Sequence, residues 1–202
     1  MYLRMPFIFF LAIAFSFSNA ESKQKRISVL PFKGWQSNSN NHAKQYRAAL
    51  TDKILTKIIK SHRFIVIDRE NLNKIIKEQK LQTSSGLIDQ STAIEIGKLM
   101  GIDRFILGNF TRNSIVHHPA KYSEYDGKKT KLSDAFYSAK IDVTMKLLDV
   151  ETGVYLEATE ANGNATGKNK NEAYMNALEK VADNVLIAFQ EYFKIEAHVT
   201  QI

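Results

Sequence analysis

Through the first half of the chain, short apolar runs alternate with longer stretches of helical spacing. Ile27-Ser28-Val29-Leu30-Pro31-Phe32 reads as a strand that stops at a proline, which has no N–H to give a sheet ladder. Lys33 to Asn41 is a loop of Gly, Ser and Asn. From His42 to Ser61 the residues Tyr46, Leu50, Ile54, Leu55, Ile58 and Ile59 return at helical spacing, which predicts an amphipathic helix. Its Lys53, Lys57 and Lys60 gather on another face. Arg63 to Asp68 is a second strand, apolar almost throughout, as expected when both faces of its sheet are covered. Asp68 suits a helix N-cap, and Leu72, Ile75 and Ile76 form the buried stripe of the next helix until Thr83-Ser84-Ser85-Gly86 breaks it. A short helix begins around Asp89 to Thr92, where several residues could cap and Thr92 with Glu95 fits a capping box. It ends at Gly101, the residue type that commonly takes the left-handed conformation after a helix. Asp103 to Phe110 is a third strand. This alternation builds a sheet with helices on both faces.

The period then changes to two. Ile141, Val143, Met145 and Leu147 alternate with Lys140, Asp142, Thr144 and Lys146, giving a strand with one buried face. The turn Glu151-Thr152-Gly153 returns the chain along Val154 to Gly163, so the two segments predict an antiparallel hairpin. Asn169, with Glu172 three residues on, opens a last helix. Its stripe of Tyr174, Leu178, Val181, Val185, Phe189 and Tyr192 runs for about five turns. Between these regions Thr111 to Ser138 is polar, with His117-His118-Pro119 and Asp126-Gly127-Lys128-Lys129, and is expected as a polar loop or excursion at about 111–139, either a long hairpin loop or a poorly ordered segment. The fold class expected is α/β. It is a single three-layer domain with a mixed sheet and helices on both faces, followed by an antiparallel hairpin and a long C-terminal helix.

Ahead of this domain, Met1 to Ala20 has the grammar of a secretory signal peptide: Arg4, an apolar run from Phe7 to Phe17, then Ser18-Asn19-Ala20 at the processing site. The run is shorter than the roughly 20 residues of a membrane-spanning helix. The expected division is therefore 1–20 as signal peptide and 21–202 as one domain, cleaved after Ala20. The chain has no cysteine, which excludes a disulfide framework, thiol catalysis and thiolate metal sites. With Ala20, Glu21 and Ser22 at the cleavage point, no lipid-anchoring cysteine is expected there either.

The formal charge of +7 is uneven along the chain. Residues 21–80 hold 14 Lys and Arg against 5 acids, whereas residues 81–202 hold 13 against 16. A basic half points to an anionic partner. For an exported protein that means an acidic protein or an anionic envelope surface before nucleic acid. Lysines that merely solvate helix faces are the plainer alternative. The candidate partner-binding residues are Lys53, Lys57, Lys60, Lys74 and Lys77, with Trp35, the only tryptophan, as an interface anchor or else packed on the domain.

Catalytic chemistry is thinly represented. There is no glycine cluster between strand and helix to cradle phosphate, and no Gly-flanked serine elbow. Adjacent His117 and His118 would point to opposite faces of a strand, which with Glu124 and Asp126 nearby makes at best a weak metal site. Asp142 and Asp149, seven residues apart on one strand, fall on opposite faces and cannot form a catalytic pair. Asp68, at the carboxyl end of a strand, sits where α/β proteins bind ligands, although helix capping already accounts for it. No catalytic residue, metal or cofactor is expected.

The succession RISVLPF, then RFIVIDRENLNKIIKEQKLQTSSGLIDQSTAIEIGKLMGIDRFILGNF, then AKIDVTMKLLDVETGVYLEATEANG resembles the periplasmic domain of the CsgG family, the curli production assembly and transport components. The most specific part is Asp68-Arg69-Glu70-Asn71-Leu72 followed by the pattern around Gly97, Gly101 and Asp103. The resemblance implies an α/β domain in the periplasm, peripheral to the outer membrane, that forms a ring and acts in secretion of amyloid-type subunits. Three features depart from a secretion channel. The acylated cysteine is missing. The segment 121–134 is charged without an alternating lipid-facing side. Only Ala161 to Lys168 is available for a second membrane hairpin, too few for two strands of about 9 to 11 residues. The expectation is therefore a non-enzymatic envelope protein without an integral membrane span. It would act in curli-like assembly or secretion by binding envelope proteins, with itself as a ring or smaller homo-oligomer. The alternative is an activator of cell-wall synthesis resembling penicillin-binding-protein activators.

Overall fold

Two parallel crossovers and one antiparallel meander share a single sheet. The computed structural model describes residues 24–35, 40–68, 72, 74 and 88–199. In chain order the elements are β1 (Arg26–Val29), α1 (Asn40–Lys60), β2 (Ile65–Val66), α2 (Gln90–Met100), β3 (Arg104–His118), β4 (Lys121–Tyr125), β5 (Lys128–Ser133), β6 (Phe136–Asp149), β7 (Tyr155–Gly167) and α3 (Lys170–Val199). The main sheet runs β2-β1-β3-β6-β7, with β2, β1 and β3 parallel and β3, β6 and β7 antiparallel. The chain steps one way from β1 to β2, then back past β1 to β3. Connections of one hand then put their helices on opposite faces.

This gives two cores. On one face α1 and α3 bury Ile27, Val29, Ile106, Phe110, Ile141, Val143, Met145 and Leu147 of the strands against Leu50, Ile54, Leu178, Val181 and Val185. On the other, Ala93 and Ile96 of α2, with Leu72, cover Leu30, Phe105, Leu148 and Val150. The architecture is thus a single α/β domain with a mixed sheet, helices on both faces, an antiparallel hairpin and a long last helix.

Local chemistry starts and stops the helices as the residue types dictate. Asp89 caps α2 through Oδ1, which accepts from the Thr92 N–H at 2.8 Å, so Asp89 and not the Thr92–Glu95 box begins it. Gly101 ends it in the left-handed region at φ 61°. Asn169 Oδ1 accepts from the Glu172 N–H, and Glu172 Oε2 accepts from the Lys168 N–H, a reciprocal cap for α3.

Two expectations change. The second strand is only Ile65–Val66 and lies at the sheet edge, with Ile65 exposed, so its apolar run does not reflect cover on both faces. The polar stretch at 111–139 is built of strands: β3 and β6 pair as far as His118 and Phe136, and β4 with β5 forms a separate two-stranded sheet. The cause is a β-bulge between Phe110 and Arg112. Before it the even-numbered residues Ile106 and Phe110 face α1 and α3, and after it the odd-numbered Ile115 does, so alternation changes phase within one strand. The proposed signal peptide, Ile75, Ile76 and the break at Thr83 to Gly86 lie outside the described residues.

Candidate functional site

Three surfaces matter: the lysine face of α1, the tip hairpin β4–β5, and the outer face of β3–β6–β7. On the first, the acidic half of the chain meets the basic half. Lys53 Nζ donates to Glu179 at 2.5 Å, and Lys57 Nζ reaches both Glu179 and Asp183 at 2.6 Å. Hydrogen bonds from Lys53 and then Lys57 pull the Glu179 carboxyl down to about 2, and the same bonds raise Lys57 above its ordinary value. Lys53 and Lys57 therefore stitch α1 to α3 and do not stand as an uncompensated cationic face. Lys60 and Lys74 are exposed, and Lys77 lies outside the described residues.

Trp35 is 8% exposed. Its ring packs against Tyr46, Phe110 and Tyr174 at centroid distances of 4.8, 4.8 and 5.2 Å, which places it in the aromatic core. Burial raises the Tyr46 and Tyr174 hydroxyls above their ordinary values. The side chain of Tyr46 donates to Asn171, tying α1 to the start of α3.

The histidines and acids form no reactive cluster. His117 sits across from Tyr137 and His118 from Phe136, on opposite faces of the β3–β6 pair. Asp142 pairs with Arg112 at 3.3 Å, while Asp149 pairs with buried Arg104 and accepts from Thr152. Burial works against the Asp149 carboxylate, but the Thr152 hydrogen bonds and the Arg104 charge outweigh it and hold its pKa below the ordinary value. Asp68 is exposed, and its carbonyl accepts from the Leu72 N–H at 3.2 Å, the i to i+4 bond of a helix start. Among the described residues no group of three His, Cys, Asp or Glu could hold a metal ion.

In the tip hairpin the sequence hid the regular pairing of β4 with β5. Every residue of β4 and β5 but Ser133 is exposed. Tyr125 is 86% and Leu132 65% exposed, and Tyr122 also lies open, so three large apolar side chains project on a two-stranded sheet that has no core of its own. Asp126 at φ 50° and Gly127 at φ 68° make the turn, the conformation that an Asp-Gly pair supplies. Lys131 and Asp134 pair at the return, which lowers the Asp134 carboxyl and raises Lys131. The Asp-Gly dipeptide was the signal for this hairpin, but the strands around it carry charges where apolar alternation is normally sought.

Residues 14–184 match the family model described as the curli production assembly/transport component CsgG. No curated protein matches the chain. Among solved structures, the chain is similar to the lipoprotein GNA1162 from Neisseria meningitidis, with TM-score 0.48 and 14% identity over 81% of this chain and 98% of that one. It is similar to the LpoB C-terminal domain from Escherichia coli, with TM-score 0.45 and 14% identity over 69% and 82%. The PelC dodecamer from Paraburkholderia phytofirmans gives TM-score 0.40 and 11% identity over 80% and 84%.

Proposed function

The chain belongs to the CsgG family, and we propose that it activates a partner in envelope assembly, a cell-wall synthase, by docking through the tip hairpin. Membership makes it a periplasmic, membrane-peripheral, non-catalytic domain that acts through protein contacts. Among the described residues no helix is long and apolar enough to cross a membrane.

The observation that carries the reading is the exposed trio Tyr122, Tyr125 and Leu132. Aromatic side chains on a projecting hairpin bury large area at little entropic cost when a partner covers them. Secretion of curli-like subunits is the second reading, favoured by the family's own description. The strands argue for the first. β4 and β5 have 5 and 6 residues and carry Lys121, Glu124, Lys128, Lys129 and Lys131, whereas a membrane strand takes about 9 to 11 with an apolar outer face. β7 passes into α3 with only Lys168 and Asn169 between them.

The test adds the mature protein to a purified peptidoglycan synthase from the same organism and follows glycan polymerisation. The expected result is a rate increase of several-fold that is lost when Tyr122, Tyr125 and Leu132 are replaced by Ser. Unchanged synthase rates together with stable conductance steps in a planar bilayer would establish the secretion reading instead.

A further inference from the structure

The half-sheet of β3, β6 and β7 has a face that no described helix covers along its distal rows. The register stacks its side chains across the strands: Val116, Ser138 and Thr166, then Ser114, Lys140 and Asn164, then Arg112, Asp142 and Asn162. A groove of about 520 Å³ lies over the first two rows, and Lys180 of α3 forms part of its wall. The position of Lys180 follows from how α3 runs along the outer edge of β7. Asn176 and Asn184 donate to the carbonyls of Thr166 and Asn162, and Lys180 comes midway between them, beside Asn164. Beyond the groove, the rings of His118 and Phe136 stack 4.4 Å apart on the same face, and His118 Nε2 lies 2.9 Å from Ser138 Oγ.

The inventory of groups selects the ligand. β6 is paired on both sides, and at the β7 edge the carbonyls of Thr166 and Asn162 are taken by Asn176 and Asn184, so a ligand lying over β3 and β6 meets side chains. A peptide captured by a sheet uses such an edge together with pockets for its side chains, and Val116 is the only large apolar residue among those lining the groove. Ser114, Ser138, Thr166 and Asn164 both donate and accept, the property that matches hydroxyl groups. Lys140 and Lys180 add charge with no ion pair among the described residues. Asp142 is answered by Arg112 one row on. Glu160 lines the adjoining groove, which shares Lys140 and Asn164, so it repels an anion at the far end and sets its direction. Phe136 lies four residues from Lys140 along β6, about 14 Å, a reach suited to a short chain of rings.

We propose that this groove binds an acidic saccharide: carboxylate drawn by Lys140 and Lys180, hydroxyls on Ser114, Ser138, Asn164 and Thr166, and a ring against Phe136. The site is independent of the tip hairpin and would serve a protein that works among carboxylated envelope glycans.

Trigalacturonate is the probe, titrated into the isotopically labelled mature chain with chemical shifts as the readout. Saturable shifts should appear at 114–118, 136–140 and 164–166. They should weaken at least tenfold with neutral maltotriose, and at least tenfold in the Lys140→Ala/Lys180→Ala variant, whose exposed positions leave the fold and the rest of its spectrum intact. The Tyr122, Tyr125 and Leu132 to Ser variant should bind the probe as the parent does. Absence of saturable shifts, or unchanged binding in the lysine variant, overturns the proposal. Hexaglutamate shifting the same residues with equal or greater affinity overturns the saccharide assignment in favour of an acidic peptide.

Discussion

The same three strands present two unlike faces. Toward α1 and α3, β6 contributes Ile141, Val143, Met145 and Leu147, all buried. Away from them it contributes Lys140, Asp142, Thr144 and Lys146, of which none is buried. What separates the faces is the return path of α3. Gly163 and Gly167 on β7 let its backbone come so close that a Cβ on Gly163 would overlap the carbonyl oxygen of Ala177, and one on Gly167 the N–H of Ala173. The covered face holds the domain together through burial worth roughly 25 cal/mol per Å² of apolar surface. The bare face and the tip hairpin add little to folding, which leaves their residues available for binding. On β6 the buried and the solvent-facing side chains thus divide between the two sides of one sheet from Ala139 to Leu147.

Breaking the covered face should have the largest effect. Gly163→Ala forces α3 off β7, because the obstacle is backbone and no side-chain rotation relieves it. We expect a loss of about 1–3 kcal/mol, read as a drop in the denaturation midpoint, since overpacking of a tight contact costs that much. If the midpoint is unchanged, α3 does not pack on β7 at this distance.

The stitch between α1 and α3 should matter less and in a pH-dependent way. Glu179 titrates at about 2 in the fold against an ordinary 4.5. A depressed carboxyl stabilises the fold fully above its unfolded value and loses that contribution as pH falls from about 4.5 toward 2. Glu179 is about half exposed, so screening limits the contribution to about 1 kcal/mol or less. Glu179→Gln should flatten the acid limb of a stability-against-pH curve over that window, and added salt should shrink the difference between the two proteins. An identical acid limb in both would show that the pairs do not persist in solution.

The tip hairpin should have the smallest effect on folding. Replacing residues 121–133 by a short Gly-Ser turn removes no buried apolar side chain. The melting temperature should therefore change by no more than about 0.5 kcal/mol would produce, roughly 1–2 °C for a domain of this size. A large drop would mean that the hairpin packs on the body and is not a free docking element.

Much of this was legible along the chain where a local rule acts alone. Gly101 and the Asn169–Glu172 pair are such positions, since a helix end is decided by a few neighbouring residues. The alternation of β6 is another, because it runs uninterrupted from Ala139 to Leu147. In β3 one extra residue at the bulge moves the apolar positions from even to odd, so a period of two cannot be followed through it. The lysine face of α1 was only partly legible, for a different reason. Spacing correctly places Lys53 and Lys57 together on one side of α1, but whether that side is free depends on which helix lies against it. Trp35 is similar: it follows the first strand in a loop, and only the arrival of Tyr46, Phe110 and Tyr174 from three other elements makes it core.

By itself, then, the order of residues determined the element types outside 111–138, the end of α2 and the start of α3, the α/β class and the family, all of which depend on interactions within a few residues or on patterns carried along the strand. Only the tertiary structure decided that Lys53 and Lys57 of the basic first half pair with Glu179 and Asp183, acids more than a hundred residues away. It also decided that glycines on β7 admit α3, and that half of the sheet keeps a bare polar face. Each depends on contacts between distant segments, and a charge or a glycine takes its meaning from the partner that folding brings to it.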